Sequence, residues 1–211
     1  MSRFRLIAGL VLIALVAGSG YWAVWNYELR WRPNTIVRHQ AEITRILDGS
    51  GWVSPTRTGK KLYMISHRTC TSCLRFKTEE FPELREAGAD TRVIEIARRD
   101  ENGLAQSTPA ERATVAQLWL TRDDRLRARW EMTPAQAWTA PGLPPADGDA
   151  ARTAVVEAGR GLVEELTPLL KDNGVKFDYP LLVWWNDKGE MRSCACTAPQ
   201  THRFVRKELG G

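Results

Sequence analysis

Two cysteines spaced as C-x-x-C, Cys70 and Cys73, are the residues of this 211-residue chain best suited to chemistry. The apolar run at 62–65 predicts a buried strand that ends shortly before them, and a helix is expected to begin at the first cysteine. Free N–H groups and the dipole at a helix N-terminus favour a thiolate, so Cys70 is the expected attacking sulfur. Cys73, one turn later, is then the resolving thiol that releases a mixed disulfide.

Two other uses of this pair stay open, a structural disulfide and half of a zinc site. A disulfide across so short a segment closes almost no loop and adds little stability in the chain-entropy account. Zinc would need two more ligands, and the other close pair of cysteines lies far along the chain. His67 and Arg68 precede the pair; they either add positive charge beside the thiolate or point to water.

The second pair, Cys194 and Cys196, is spaced as C-x-C in the segment 190–197, which we expect to be a hairpin strand. Side chains alternate along a strand, so both cysteines lie on one face. Three interpretations stay open: a second redox pair that relays electrons, a structural or adventitious disulfide, and a metal site shared with the first pair or His202.

The surrounding elements alternate between strands and helices, which indicates an α/β domain. The dipeptide Tyr179-Pro180 opens the apolar run 181–185, a predicted central strand, where a proline is unusual unless its geometry serves a purpose. A helical block is expected at 108–138 and 150–173, on either side of a proline-rich loop at 139–149. The remaining predictions are helices at 36–48, at 74–86 with a bend at Pro82, and at 199–209, and a strand at 91–97.

The N-terminus holds a run without charge, residues 6–25, long enough as a helix to cross a bilayer. Arg3 and Arg5 precede it and aromatic residues crowd its far end, which indicates a single-pass anchor in a bacterial inner membrane. The N-terminus would be cytoplasmic and the domain periplasmic, where disulfides persist. A cleaved signal peptide is the alternative, because Ala17 and Ser19 have the spacing of a cleavage site.

Composition supports one anchor followed by one globular domain. Apolar residues make up 43% of the chain and charged residues 26%. The formal net charge of +5 is spread along the chain without a block of five Lys or Arg, so no nucleic-acid partner is expected. We predict an anchor at 1–27, a juxtamembrane linker with a first helix at 28–57, and the domain at 58–211.

Over roughly residues 58–209 the chain resembles the thioredoxin superfamily, and within it the DsbC/DsbG-like periplasmic disulfide isomerases. The resemblance rests on the strand before Cys70, the C-x-x-C, the following helix and strand, Tyr179-Pro180 and the terminal hairpin and helix. It implies a thioredoxin-like fold with a helical insertion at about 108–173, and a cis-proline facing the C-x-x-C. By the same resemblance Tyr179, Pro180 and Thr69 would bind the substrate polypeptide.

The chain departs from that family in the bulky Tyr179 before the proline, and in Thr71-Ser72 between the cysteines. Fewer than thirty-five residues would separate the membrane from the fold, which leaves no space there for the isomerases' dimerisation domain. The V-shaped dimer of those isomerases is therefore not expected.

The expected function is thiol–disulfide exchange, as a reductase or isomerase, with Cys70 and Cys73 catalytic. The expected partners are exported proteins with thiols or disulfides and a membrane redox protein, and no cofactor or metal is expected. One alternative is a membrane-tethered copper(I) metallochaperone that uses the cysteines with His67 or His202. Another is a non-catalytic assembly factor of an envelope complex; Trp119, Trp130 and Trp138 are compatible with it if they are exposed, but we expect them to pack in the core.

Overall fold

The computed structural model of the protein describes residues 2–210, and its contacts divide the chain into two units. The first unit ends at Pro33 and consists of helix α1, Ser2–Tyr27, followed by the 3-10 turn Leu29–Trp31. Among the described residues, one helical segment, Leu10–Trp31, is long and apolar enough to cross a membrane, and it is not buried by protein. A signal sequence has the same properties.

The second unit begins at Asn34 and is built on a five-stranded mixed sheet in the order β1-β5-β4-β2-β3. The strands are β1 (Asn34–Thr35), β2 (Lys60–Ser66), β3 (Ala89–Glu95), β4 (Leu181–Trp185) and β5 (Met191–Ala195). Strands β2 and β3 are parallel, whereas β4 is antiparallel to β2 and to β5, and β1 is antiparallel to β5.

Seven helices of the second unit connect and cover these strands in the part of the chain that the structure describes. They are α2 (Gln40–Gly49), α3 (Thr71–Glu79), α4 (Phe81–Glu86), α5 (Pro109–Thr121), α6 (Asp124–Met132), α7 (Ala150–Lys171) and α8 (Pro199–Leu209). The chain forms a β-α-β unit with parallel strands, from β2 to β3, and later an antiparallel β-β-α unit, from β4 to α8. Together, in this strand order, they form a thioredoxin-like fold. Helices α5 to α7 lie between its two halves in the chain and are called the insertion below, although α7 also packs against the sheet.

The sheet separates two apolar layers, because successive side chains of a strand point to opposite faces. Along β4, Leu181 and Val183 face a layer with α2 and α7, whereas Leu182 and Trp184 face a layer with α3, α4 and α8. The C-x-x-C lies in this second layer. A third cluster fills the insertion and contains Trp130 and Trp138, which are buried rather than exposed for a partner.

Two predicted helices differ from those observed. The helix expected at 74–86 is two helices, α3 and α4, because the chain breaks at Glu80 and Pro82 occupies the first turn of α4, where its missing N–H costs nothing. The helix expected at 36–48 begins only at Gln40, since the fully buried Ile36 instead donates its backbone N–H to the Met191 carbonyl at 2.8 Å. Pro168 lies inside α7 without ending it.

The domain boundary also differs from the sequence-based prediction. Residues 34–57 were expected to belong to a juxtamembrane linker and first helix at 28–57, but they are part of the second unit. The reason is burial: β1 extends the sheet beside β5, and Ile43 and Leu47 of α2 are fully buried against the sheet. The compact domain therefore begins at Asn34 rather than at residue 58.

Candidate active site

Cys70 and Cys73 form a disulfide at the start of α3. Cys70 is the N-cap residue, and its Sγ accepts a hydrogen bond from the backbone N–H of Cys73 at 3.0 Å. The loop from the end of β2 positions it, because the N–H of Cys70 donates to the His67 carbonyl at 3.1 Å. Cys70 is 8% exposed and Cys73 1%, so Cys70 is the more accessible sulfur. A helix N-terminus that donates to Cys70 Sγ would equally stabilise its thiolate after reduction.

Tyr179 and Pro180 lie directly before β4, and the peptide bond between them is cis. Strand β4 is the neighbour of β2, with Leu181 opposite Ile65, so this loop lies at the same edge of the sheet as the loop that carries Cys70. The Tyr179 ring contacts the His67 ring edge-on, with centroids 4.7 Å apart. The structure therefore brings the predicted substrate-binding residues beside the C-x-x-C loop.

His67 is half-buried, and burial together with the positive charges of Arg98 and Lys77 lowers its pKa to about 4. At neutral pH its ring is therefore uncharged and adds no positive charge beside Cys70. Thr69 is exposed, with its hydroxyl 3.2 Å from Nδ1 of His67. Thr69 also lines a cleft of about 680 Å³ whose other walls come from the loop after β3, from α5 and α7, and from the segment between α6 and α7.

Arg68 joins the loop that carries Cys70 to the insertion rather than pointing to water. Its guanidinium donates to the backbone carbonyl of Thr133 and lies 5.1 Å from the centroid of the Trp130 ring. Burial lowers the pKa of Arg68, although nearby carboxylates oppose this effect. The Arg68 guanidinium therefore interacts with α6, through Trp130, and with Thr133, the residue directly after that helix.

A buried ionic cluster lies behind Cys70 and was not predicted from the sequence. Lys77 of α3 donates to Glu95 at 2.9 Å and to Glu131 at 2.7 Å. Glu131 also accepts from Arg127 at 2.6 Å. Burial alone would lower the pKa of Lys77, but the two carboxylates outweigh it and raise that pKa. Lys77, Glu95, Glu131 and Cys70 all line one cavity of about 230 Å³.

Glu95 is 2% exposed, and its Oε2 has no hydrogen-bond partner among residues 2–210. An unpartnered carboxylate oxygen in a polar cavity is a place where water can bind. No sequence signal could have identified this cluster, because its members come from three elements: α3, β3 and α6.

Cys194 and Cys196 also form a disulfide and lie on one face of β5 and its end, as their spacing predicts. Cys194 lies opposite Leu182 of β4. The N–H of Cys196 donates to the carbonyl of Pro180 at 2.9 Å. The second pair is therefore connected directly to the proline loop of the first.

His202, a candidate metal ligand with the cysteines, has both ring nitrogens near other groups. Nδ1 lies 3.2 Å from Glu80 and Nε2 lies 3.3 Å from the carbonyl of Cys196. Glu79, Glu80 and His202 are close enough together to hold an ion, but the Arg206 guanidinium donates to both oxygens of Glu80 at 2.6 Å. A cation already neutralises this carboxylate, and the cluster includes no sulfur.

Comparison with known proteins adds little to this description. No protein-family model matches the chain, and no curated protein matches it. Among solved structures, the chain is similar to the crystal structure of Chlamydia trachomatis DsbA, at 14% sequence identity over 74% of this chain and 88% of that chain, with a TM-score of 0.37. So distant a similarity carries no argument about function, and the fold assignment rests on the order and direction of the strands.

Proposed function

We propose that this protein is a thiol–disulfide oxidoreductase that uses Cys70 and Cys73. The observation that carries the proposal is the position of Cys70, the more exposed sulfur of a disulfide, at the N-cap of α3 beside the Tyr179-Pro180 loop. The same donor that binds Cys70 Sγ in the disulfide remains in place to stabilise the thiolate.

In the reducing direction, the Cys70 thiolate attacks a sulfur of a client disulfide and displaces one client thiolate. The Cys73 thiol loses its proton and attacks Cys70 Sγ, which releases the second client thiolate and closes the Cys70–Cys73 disulfide. Two electrons pass from the protein to the client. The oxidising direction reverses both steps. In isomerisation, a different thiolate of the client attacks the mixed disulfide, which forms a new client disulfide and releases the Cys70 thiolate.

We favour the reducing or isomerising direction because the order of strands and helices over 58–209 resembles that of the DsbC/DsbG-like proteins. We further propose that α1 anchors the chain in a bacterial inner membrane, with the domain in the periplasm. The clients would then be exported proteins, and a membrane redox protein would supply the electrons. The exposed, apolar surface of α1 and the disulfides of the domain support this location.

Two exposed apolar side chains support a polypeptide client. Leu74 and Met132 are 53% and 86% exposed, and both line the cavity that contains Cys70. Exposed apolar side chains around a reactive sulfur suit a partly unfolded chain, which offers its own apolar side chains.

The test is reduction of insulin disulfides by the full-length protein in detergent, with dithiothreitol as electron source. We expect Cys70→Ser to lower the rate to that of dithiothreitol alone. Cys73→Ser should instead accumulate mixed disulfides with client proteins in cells, visible on non-reducing gels after acid quenching. Full activity of Cys70→Ser would refute the proposal.

A further inference from the structure

The proposed reaction needs only one pair of cysteines and leaves the Cys194–Cys196 disulfide without a role. Stability does not explain it, because a disulfide between cysteines two positions apart closes almost no loop. Its burial is also unusual for an adventitious surface disulfide, since Cys194 is 7% exposed and Cys196 is 0% exposed.

Both pairs lie in the same apolar layer, on the face of the sheet covered by α3, α4 and α8. The residues next to the cysteines link α3 to the end of β5. Arg75 of α3 donates to the carbonyl of Thr197 at 3.1 Å. Phe76 of α3 contacts the His202 ring, with centroids 4.8 Å apart, and His202 in turn lies 3.3 Å from the Cys196 carbonyl.

The proline loop forms a second link between the pairs. Pro180 directly precedes β4, at the same end of the strands as the C-x-x-C loop, and its carbonyl accepts the N–H of Cys196. The segment that carries Cys196 is thus held on one side by the proline loop and on the other by α3.

Burial restricts which thiols can reach the second pair. A client protein cannot bring its sulfur to the fully buried Cys196 without opening the fold, so direct attack is confined to Cys194, which is 7% exposed, whereas Cys70 and Cys73 are in the same layer as both. Cys70 and Cys73 are the chain's other two cysteines. We propose that Cys194 and Cys196 form an internal second redox pair that exchanges electrons with Cys70 and Cys73. This inference rests on the proposed function, which supplies the external oxidant or reductant.

The exchange is balanced within the chain. A thiolate of reduced Cys70–Cys73 attacks the Cys194–Cys196 disulfide, which forms a disulfide between the pairs and releases one thiolate of the second pair. The remaining thiol of the first pair then attacks this bond, closes Cys70–Cys73 and releases the second thiolate. Two electrons and two protons move to Cys194 and Cys196. A client dithiol drives the exchange in this direction, and a client disulfide drives the reverse.

The test follows the position of one disulfide over time in the full-length protein in detergent. Fully reduced protein receives one equivalent of a short cyclic peptide disulfide, samples are quenched in acid, and each pair is quantified by differential alkylation and peptide mass spectrometry. The reverse experiment adds one equivalent of the reduced peptide to fully oxidised protein. The control variant is Cys70→Ala/Cys73→Ala, checked for folding by circular dichroism.

In at least one of the two experiments, we expect the peptide to change the redox state of Cys70–Cys73 first. The redox state of Cys194–Cys196 should change later, while that of Cys70–Cys73 returns towards its starting value. In the control variant, the second pair should react at least about tenfold more slowly, because only direct attack remains. The wild-type time course needs no substitution, so a misfolded control would not decide the result.

Equal rates for the second pair with and without Cys70 and Cys73 would overturn the inference, as would transfer in neither direction while the first pair reacts with the peptide. That last result would leave the proposed function intact. Failure of Cys70–Cys73 itself to react with the peptide would instead refute the proposed function, and the internal exchange with it.

Discussion

Replacement of His67 by phenylalanine tests whether the ring beside the C-x-x-C is neutral. Its pKa of about 4 in the folded protein lies below the ordinary value of 6.5, because burial and nearby cations disfavour the charged form. As the pH falls through 6.5, the unfolded chain binds the proton before the folded protein does. Stability that is fully present above pH 6.5 is therefore lost progressively as the pH falls towards 4.

The size of this loss follows from the two pKa values. At pH 5 the linkage relation gives about 2 kcal/mol relative to pH 8. Part of the ring remains in contact with water, so we reduce this to about 1 kcal/mol. Phenylalanine preserves a ring that can contact Tyr179 but binds no proton, so His67→Phe should lack this part of the pH dependence.

The assay is urea unfolding of the full-length protein in detergent at several pH values between 5 and 8, followed by tryptophan fluorescence. The quantity of interest is the difference in unfolding free energy between wild type and His67→Phe as a function of pH. Tyr179→Phe is the matched control and should keep the wild-type slope, because burial raises the pKa of Tyr179 above its already high ordinary value. Parallel profiles for wild type and His67→Phe would show that the ring is not held neutral, and would restore it as a candidate charge beside Cys70.

Two further predictions concern the cavity beside Cys70. Lys77→Met should lower the unfolding free energy by about 3 to 5 kcal/mol, because it leaves Glu95 buried without a cation, whereas Glu131 keeps its ion pair with Arg127. Urea unfolding measures this loss, and a value below about 1 kcal/mol would contradict the described geometry of the cluster. Met132→Lys should slow the reduction of an unfolded protein client about fivefold, which corresponds to the loss of about 1 kcal/mol from burial of Met132 by that client. The rate with glutathione disulfide should stay unchanged. Leu120→Lys, on a residue 54% exposed and outside this cavity, should change neither rate, and equal effects of the two substitutions would exclude a client surface at Met132.

The parts of the site that local sequence could predict are those fixed by neighbours in the chain. The C-x-x-C follows an apolar run and begins a helix, so its position at an N-cap follows from a few residues. The strand 181–185 and the final helix 199–209 have the predicted bounds because prolines and a turn define their ends. Alternation along β5 likewise placed Cys194 and Cys196 on one face.

The predictions that differ from the structure depend on long-range contacts. The sequence predicts a juxtamembrane linker and a first helix outside the domain at 28–57, yet pairing with β5 and burial of α2 make residues 34–57 part of the domain. The charge of His67 could not be judged from its position beside Cys70. Its pKa depends on burial by the folded chain and on the charges of Arg98 and Lys77, which other parts of the chain supply.

The insertion contributes to the proposed active site and is not an appendage to it. Helix α6 supplies Glu131 to the ionic cluster and Trp130 to the cavity wall, and the Thr133 carbonyl binds Arg68 of the active-site loop. Because Arg68 lies two residues before Cys70, a movement of α6 would move the loop that presents the reactive sulfur. The residues between β3 and β4 therefore shape both the access to Cys70 and its electrostatic surroundings, although the thioredoxin-like core alone would complete the sheet.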